Sequence, residues 1–118
     1  MKKITALLLL VAFTLTHLFA AAKDPIVIEV VVKQKNIEDA LKATKTILMG
    51  EKFIAQEMQK KGFTATRTTG SKADYFVADV VAADVNGTVK ITVTFVKVGT
   101  GLLNLKKVSE RVKAKLEE

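Results

Sequence analysis

The chain has 118 residues, a net charge of +7, a single histidine and no cysteine. That inventory excludes a disulfide framework and strips a zinc, copper or haem centre of its usual ligands. The basic excess points to anionic surfaces or acidic proteins as partners.

Lys2 and Lys3 precede an apolar run from Ile4 to Ala20, which ends in Ala20-Ala21-Ala22. A basic start, a short apolar core and small closing residues are the pattern of a secretory signal peptide over residues 1–22. The working chain is then expected to begin near Lys23. The uninterrupted apolar core falls short of the ~20 residues of a spanning helix, and Thr14, Thr16 and His17 dilute its end, which disfavours a permanent anchor. A lipid anchor would need a cysteine at the cleavage point. The expectation is a periplasmic or secreted protein with no transmembrane segment in the mature chain and one domain over residues 23–118.

Removing 22 of 118 residues leaves 96, with 17 basic and 12 acidic side chains and a net charge of +5. His17 leaves with the signal, and Ser71 and Ser109 are the only serines. Without imidazole or thiol, neither a Ser-His-Asp nor a Cys-His nucleophile can be assembled. No catalytic, cofactor-binding or metal-binding residue is expected, and the reading is non-enzymatic. Nucleic acid is not an expected client outside the cytoplasm, whereas anionic lipid or lipopolysaccharide phosphate would suit the charge.

Ile26, Ile28, Val30 and Val32 alternate with Val27, Glu29, Val31 and Lys33, the period-two pattern of a strand, and Pro25 suits its start. Asn36 reads as an N-cap, with Glu38 and Asp39 in the first helical turn. The apolar stripe through Ile37, Ala40, Leu41, Thr44, Ile47, Leu48, Ile54, Ala55 and Met58 favours one long helix ending at Lys60-Lys61-Gly62. The alternative stops that helix at Gly50 and folds residues 53–59 and 63–68 into a hairpin about Lys60-Lys61-Gly62. Residues 63–68 read as a strand either way, and Gly70-Ser71 as a loop.

Residues 74–85 and 88–98 are strands joined by Asn86-Gly87, the dipeptide of a type I′ turn. Gly99-Thr100-Gly101 breaks the pattern. Leu105, Val108, Val112 and Leu116 then mark a closing amphipathic helix, with Lys106, Lys107, Arg111, Lys113 and Lys115 on its remaining surface. The fold class is α+β: an antiparallel-rich sheet of about four strands with two helices, in the order β-α-β-β-β-α, or β-α-β-β-β-β-α if the first helix ends at Gly50.

A two-residue turn sets Val85 opposite Thr88, Ala82 opposite Ile91, Val80 opposite Val93 and Ala78 opposite Phe95. Small residues thus oppose bulky ones on the face expected beneath the helices. The other face carries Tyr75, Val77, Val81, Lys90, Thr92, Thr94, Val96 and Val98, a half-apolar surface and the candidate partner-binding site. Lys106, Lys107, Arg111 and Lys113 are the candidate contacts to an anionic surface. Asp74, Asp79 and Asp84 alternate faces and cannot gather around one ion. Gly99-Thr100-Gly101 lacks the lysine-serine or third-glycine context of phosphate-binding loops.

Lys61-Gly62-Phe63, Ala73-Asp74-Tyr75, Asn86-Gly87 and Gly101, in a strand, long helix, three strands, helix order, resemble small periplasmic domains of bacterial envelope-assembly accessory proteins. Those include outer-membrane activators of cell-wall synthases and lipopolysaccharide-transport lipoproteins. The hairpin alternative would instead resemble the helix-grip domains of barrel-assembly lipoproteins. Members of these families typically carry a lipidated cysteine, which this chain lacks. The expected function is that of an exported binding domain that docks another envelope protein through the half-apolar sheet face, with self-association as a further option. The alternative is a small carrier of apolar ligands or lipid, which would need a cavity between sheet and helices; alternating small and large inner-face residues favour a filled core.

Overall fold

The computed structural model describes residues 23–68, 74–99 and 103–118. The signal-peptide reading, the Gly70-Ser71 loop, Ala73, Thr100 and Gly101 lie outside the described residues. Alternating β-branched residues build strand β1 (Lys23–Val32), and helix α1 (Ile37–Gly50) follows. Its N-cap is Asn36, whose side-chain oxygen accepts from the Asp39 amide at 2.8 Å. Next come β2 (Ile54–Ala55), β3 (Gly62–Thr68), β4 (Tyr75–Val85), β5 (Thr88–Val98) and helix α2 (Leu105–Glu117). The protein is therefore α+β, with the strands in one antiparallel sheet ordered β1-β5-β4-β3-β2.

The long-helix expectation fails at Glu51, and the hairpin order is the one adopted. Lys52 takes a positive φ of 69°, its amide bonds to the Met49 carbonyl, and the Phe53 amide bonds to the Leu48 carbonyl. Those two bonds are the Schellman closure of a helix, with lysine in the left-handed position usually given to glycine. Phe53 drives the stop: it turns back beside Leu48 into the core and meets Phe95 edge to face, ring centres 6.1 Å apart. A continued helix would have placed that ring by helical phase alone; the sheet supplies it an aromatic partner. Ile54 and Ala55 then pair with Thr66 and Ala65, and bonds from Gln56 to Thr64 and from Gln59 to Gly62 complete the hairpin.

The β4–β5 hairpin has the expected register throughout, from Tyr75 opposite Val98 to Val85 opposite Thr88. Asn86 and Gly87 have φ of 53° and 81°, as a type I′ turn requires. The inner face, with Phe63, Ala65, Phe76, Ala78, Val80, Ala82, Ile91, Val93 and Phe95, is buried beneath both helices. Helix α1 lies over β3, β4 and β5, and α2 lies over β1. Ala40, Leu41 and Leu48 of α1 and Val108, Val112 and Leu116 of α2 close the core from above.

A salt bridge invisible in the local sequence ties the helices together. Arg111 of α2 donates from Nε to Oε2 of Glu51 at 3.0 Å and from a terminal nitrogen to Oε1 at 2.8 Å. Arg67 of β3 donates to the Glu51 carbonyl oxygen at 3.0 Å. Glu51 is buried, and the bidentate fork compensates its lost hydration.

Candidate functional site: the outer sheet face and its cleft

With both helices on the inner face, the strand registers set out the opposite face in rows. Val31, Lys90 and Ala83 form one row across β1, β5 and β4; the next is Glu29, Thr92, Val81 and Gly62, reaching β3. Val27, Thr94, Asp79 and Thr64 follow. Then come Val96, Val77, Thr66 and Ile54, ending on β2, and finally Val98, Tyr75 and Thr68. Tyr75, Val77, Val81, Lys90, Thr92, Thr94, Val96 and Val98 therefore share one face, as the pairing of a two-residue turn requires.

Their exposure is uneven. Val77, Thr94 and Val96 are buried, whereas Tyr75, Val81, Lys90, Thr92 and Val98 are half-buried. The open apolar positions belong to the edges: Val27 is 49% and Val31 62% exposed on β1, and Ile54 on β2 is 73% exposed. Sequence reasoning placed Val27 and Val31 on an alternating strand without naming them as site residues. Only the sheet order makes β1 an edge, and that order depends on a pairing with β5, whose residues lie 57 to 74 positions further along the chain.

An open cleft of about 350 Å³ runs into this face beside the β2–β3 hairpin, lined by Gln59, Lys61, Gly62, Thr64, Asp79 and Val81 among others. Gly62 lines the cleft where β3 comes closest to β4. A Cβ there would stand 2.2 Å from the Val80 carbonyl oxygen, so no larger residue fits while the strands keep this approach. Thr64 donates from its hydroxyl to Oδ1 of Asp79 at 2.9 Å. Burial pushes the Asp79 carboxyl above its ordinary pKa, and the Thr64 hydrogen bond offsets part of that rise. The cleft thus presents a desolvated acceptor beside the apolar Val81, a combination suited to holding a donor-bearing side chain.

The basic helix divides differently from expectation. Lys106, Lys107 and Lys113 are exposed on α2, but the Arg111 guanidinium is committed to Glu51. Arg111 accordingly serves the fold, because its two nitrogens match the two oxygens of a buried carboxylate. Its bonds to Glu51 hold that carboxyl below its ordinary pKa, against the opposing effect of burial.

Ser109 is buried and donates to the Lys106 carbonyl at 2.7 Å, so its hydroxyl is occupied within the helix. Asp79 lies on the outer face and Asp84 at an exposed position of the other parity. Among the described residues no three potential ligands gather at metal-binding spacing, and no helix is long and apolar enough to cross a membrane. No protein-family model and no curated protein matches the chain significantly.

Proposed function

We propose that the protein is an exported, non-enzymatic binding domain of a bacterial cell envelope that docks another envelope protein on its outer sheet face. The observation that carries this reading is the asymmetry of the sheet. Two helices cover one face, while the other joins half-buried Tyr75, Val81 and Thr92 to exposed valines at its edge and to a cleft holding Asp79. Apolar surface next to a desolvated acceptor gives a partner both burial and one directional contact.

The export compartment rests on the basic, apolar and small-residue pattern of residues 1–22. The rival reading, a carrier of apolar ligands, asks for space between sheet and helices. Phe53, Phe76, Phe95, Leu41 and Leu48 occupy that layer fully buried, which favours the docking reading. Lys106, Lys107 and Lys113 would orient the domain near anionic lipid or lipopolysaccharide without inserting into it.

The test places a photo-crosslinking residue at Thr92 on the outer face or at Lys42 on the exposed side of α1, in cells that export the protein. A discrete adduct at position 92, absent at 42 and lost when Val81→Asp is added, is the expected result. Adducts that survive Val81→Asp would remove this face from consideration. Native mass spectrometry of the protein recovered from the same cells decides against docking if a small molecule is retained in stoichiometric amount.

A further inference from the structure

Strand β1 is the long edge of the sheet. Among the described residues it pairs only with β5, leaving the hydrogen-bonding groups of its other side without a strand. Natural edges of this length are usually blunted by lysines, prolines or inward charges. Here Pro25 and the register irregularity between Lys23 and Ile26 protect only the start of the strand. Residues 26–32 offer Val27 and Val31 on the outer face and one charge, Glu29.

We propose that a second copy of the chain occupies this edge, pairing β1 with β1 antiparallel about a two-fold axis at Val31. Opposed residues in an antiparallel pair share a face, so only axes centred on a residue keep both inner faces together. Centring on Glu29 sets two carboxylates against each other, and centring on Val30 sets Glu29 against Val31 and Val27 against Lys33. Centring on Val31 sets Glu29 of each copy opposite Lys33 of the other, with Val31 on Val31 between them.

That register also matches Val30 with Val32 twice on the inner side and lies clear of Pro25. Opposite charges directly across a strand pair attract and like charges repel, so it is the electrostatically preferred one. β1 ends at Val32 and the chain bends at Lys33, so the register needs the ladder to extend by that one residue before the chain turns toward the helix cap at Asn36. Glu29 already bonds Lys90 of its own sheet at 2.8 Å, and its carboxylate can accept from a second donor.

The association closes at two copies. A two-fold contact uses residues 29–33 of both β1 edges, and the opposite edge, β2, spans two residues and cannot nucleate further pairing. The dimer contact shares the exposed edge valines with the outer face but is made by strand pairing, and it does not rest on the docking reading.

Sedimentation equilibrium of the purified protein, from micromolar to submillimolar concentration, tests it with three variants. The unmodified protein should show a monomer–dimer equilibrium without larger species. Glu29→Lys should weaken it by roughly 10-fold or more, because each attractive pair becomes a repulsive one. Adding Lys33→Glu should restore it by exchanging the charges. Val31→Lys should abolish it, with circular dichroism confirming the fold in every case. A strict monomer, growth beyond dimers, or a Glu29→Lys protein that dimerises as before would each overturn the proposal, as would failure of the charge swap to restore association.

Discussion

Replacing Gly62 with alanine sets two physical effects against each other, and the geometry decides which wins. Gly62 has no positive φ, so on conformational grounds alone alanine should stabilise by about 0.5–1 kcal/mol through a less disordered unfolded chain. The added Cβ, however, would lie 2.2 Å from the Val80 carbonyl oxygen and 3.3 Å from its carbon. A relaxed carbon–oxygen contact is roughly 3.3 Å, so β3 must retreat from β4 by about 1 Å. Both neighbours are backbone and cannot rotate away.

That retreat strikes the neighbouring β3–β4 bonds, among them that from Ala82 to Lys61, 2.8 Å long. Losing two such bonds costs about 2 kcal/mol, and residual overpacking about 1–3 kcal/mol more. After the entropic gain, Gly62→Ala should destabilise by about 2–4 kcal/mol, read as a lowered urea midpoint. Gly50→Ala is the control: nothing lies within 4 Å of its added Cβ in the last helical turn, and it should stabilise by about 0.5–1 kcal/mol. A Gly62→Ala protein as stable as the original, or two alanines shifting stability in the same direction, would refute the close-approach account.

Lys52→Gly should stabilise by about 1 kcal/mol in the same urea titration, since Lys52 holds a positive φ that glycine adopts without strain. Phe53→Ala should cost about 3–5 kcal/mol by emptying the space against Phe95. Glu51→Gln should cost about 1 kcal/mol, a figure reduced because water screens the half-exposed Arg111 end of the pair. The Glu51 carboxyl is depressed below its ordinary 4.5, so its contribution is complete above that pH and fades as pH falls through the lower folded value. Glu51→Gln should accordingly flatten the acid limb of a stability profile. Asp79 behaves oppositely: its pKa is raised above 3.8 by burial, so its charge opposes folding at neutral pH and ceases to do so in acid. Asp79→Asn should therefore stabilise at pH 7 with a gain that vanishes below pH 3.8, and an unchanged difference across that range would contradict the burial of its carboxylate.

The sheet was legible wherever its cause was local. Asn86-Gly87 alone set eleven paired positions, and Asn36 marked the start of α1, because turn and cap chemistry act within four residues. The end of α1 was not legible, because the apolar spacing of residues 47–58 satisfies a helical stripe and a core hairpin equally well. What separates them is Phe95, 42 positions beyond Phe53 and beyond the reach of any periodicity. Arg111 shows the same limit: on a helical wheel it joins the lysines, and only the fold brings it to Glu51. The candidate face was readable to the extent that the hairpin register was; its exposed edge at β1 was not, since strand order is a long-range property.

The pairing of β1 with β5 also sets the order in which the molecule can be completed. The β4–β5 hairpin and α1 are made of neighbours in sequence and can form as soon as their residues are present. By contrast, Val32 waits for Val89 and Ile26 for Phe95. A chain synthesised from its N-terminus must carry the β-branched run of β1 unpaired until its last third exists, and only then can α2 cover that strand. The first strand to emerge is thus among the last to be secured, and the time a nascent molecule remains vulnerable to misassociation is governed by this one seam.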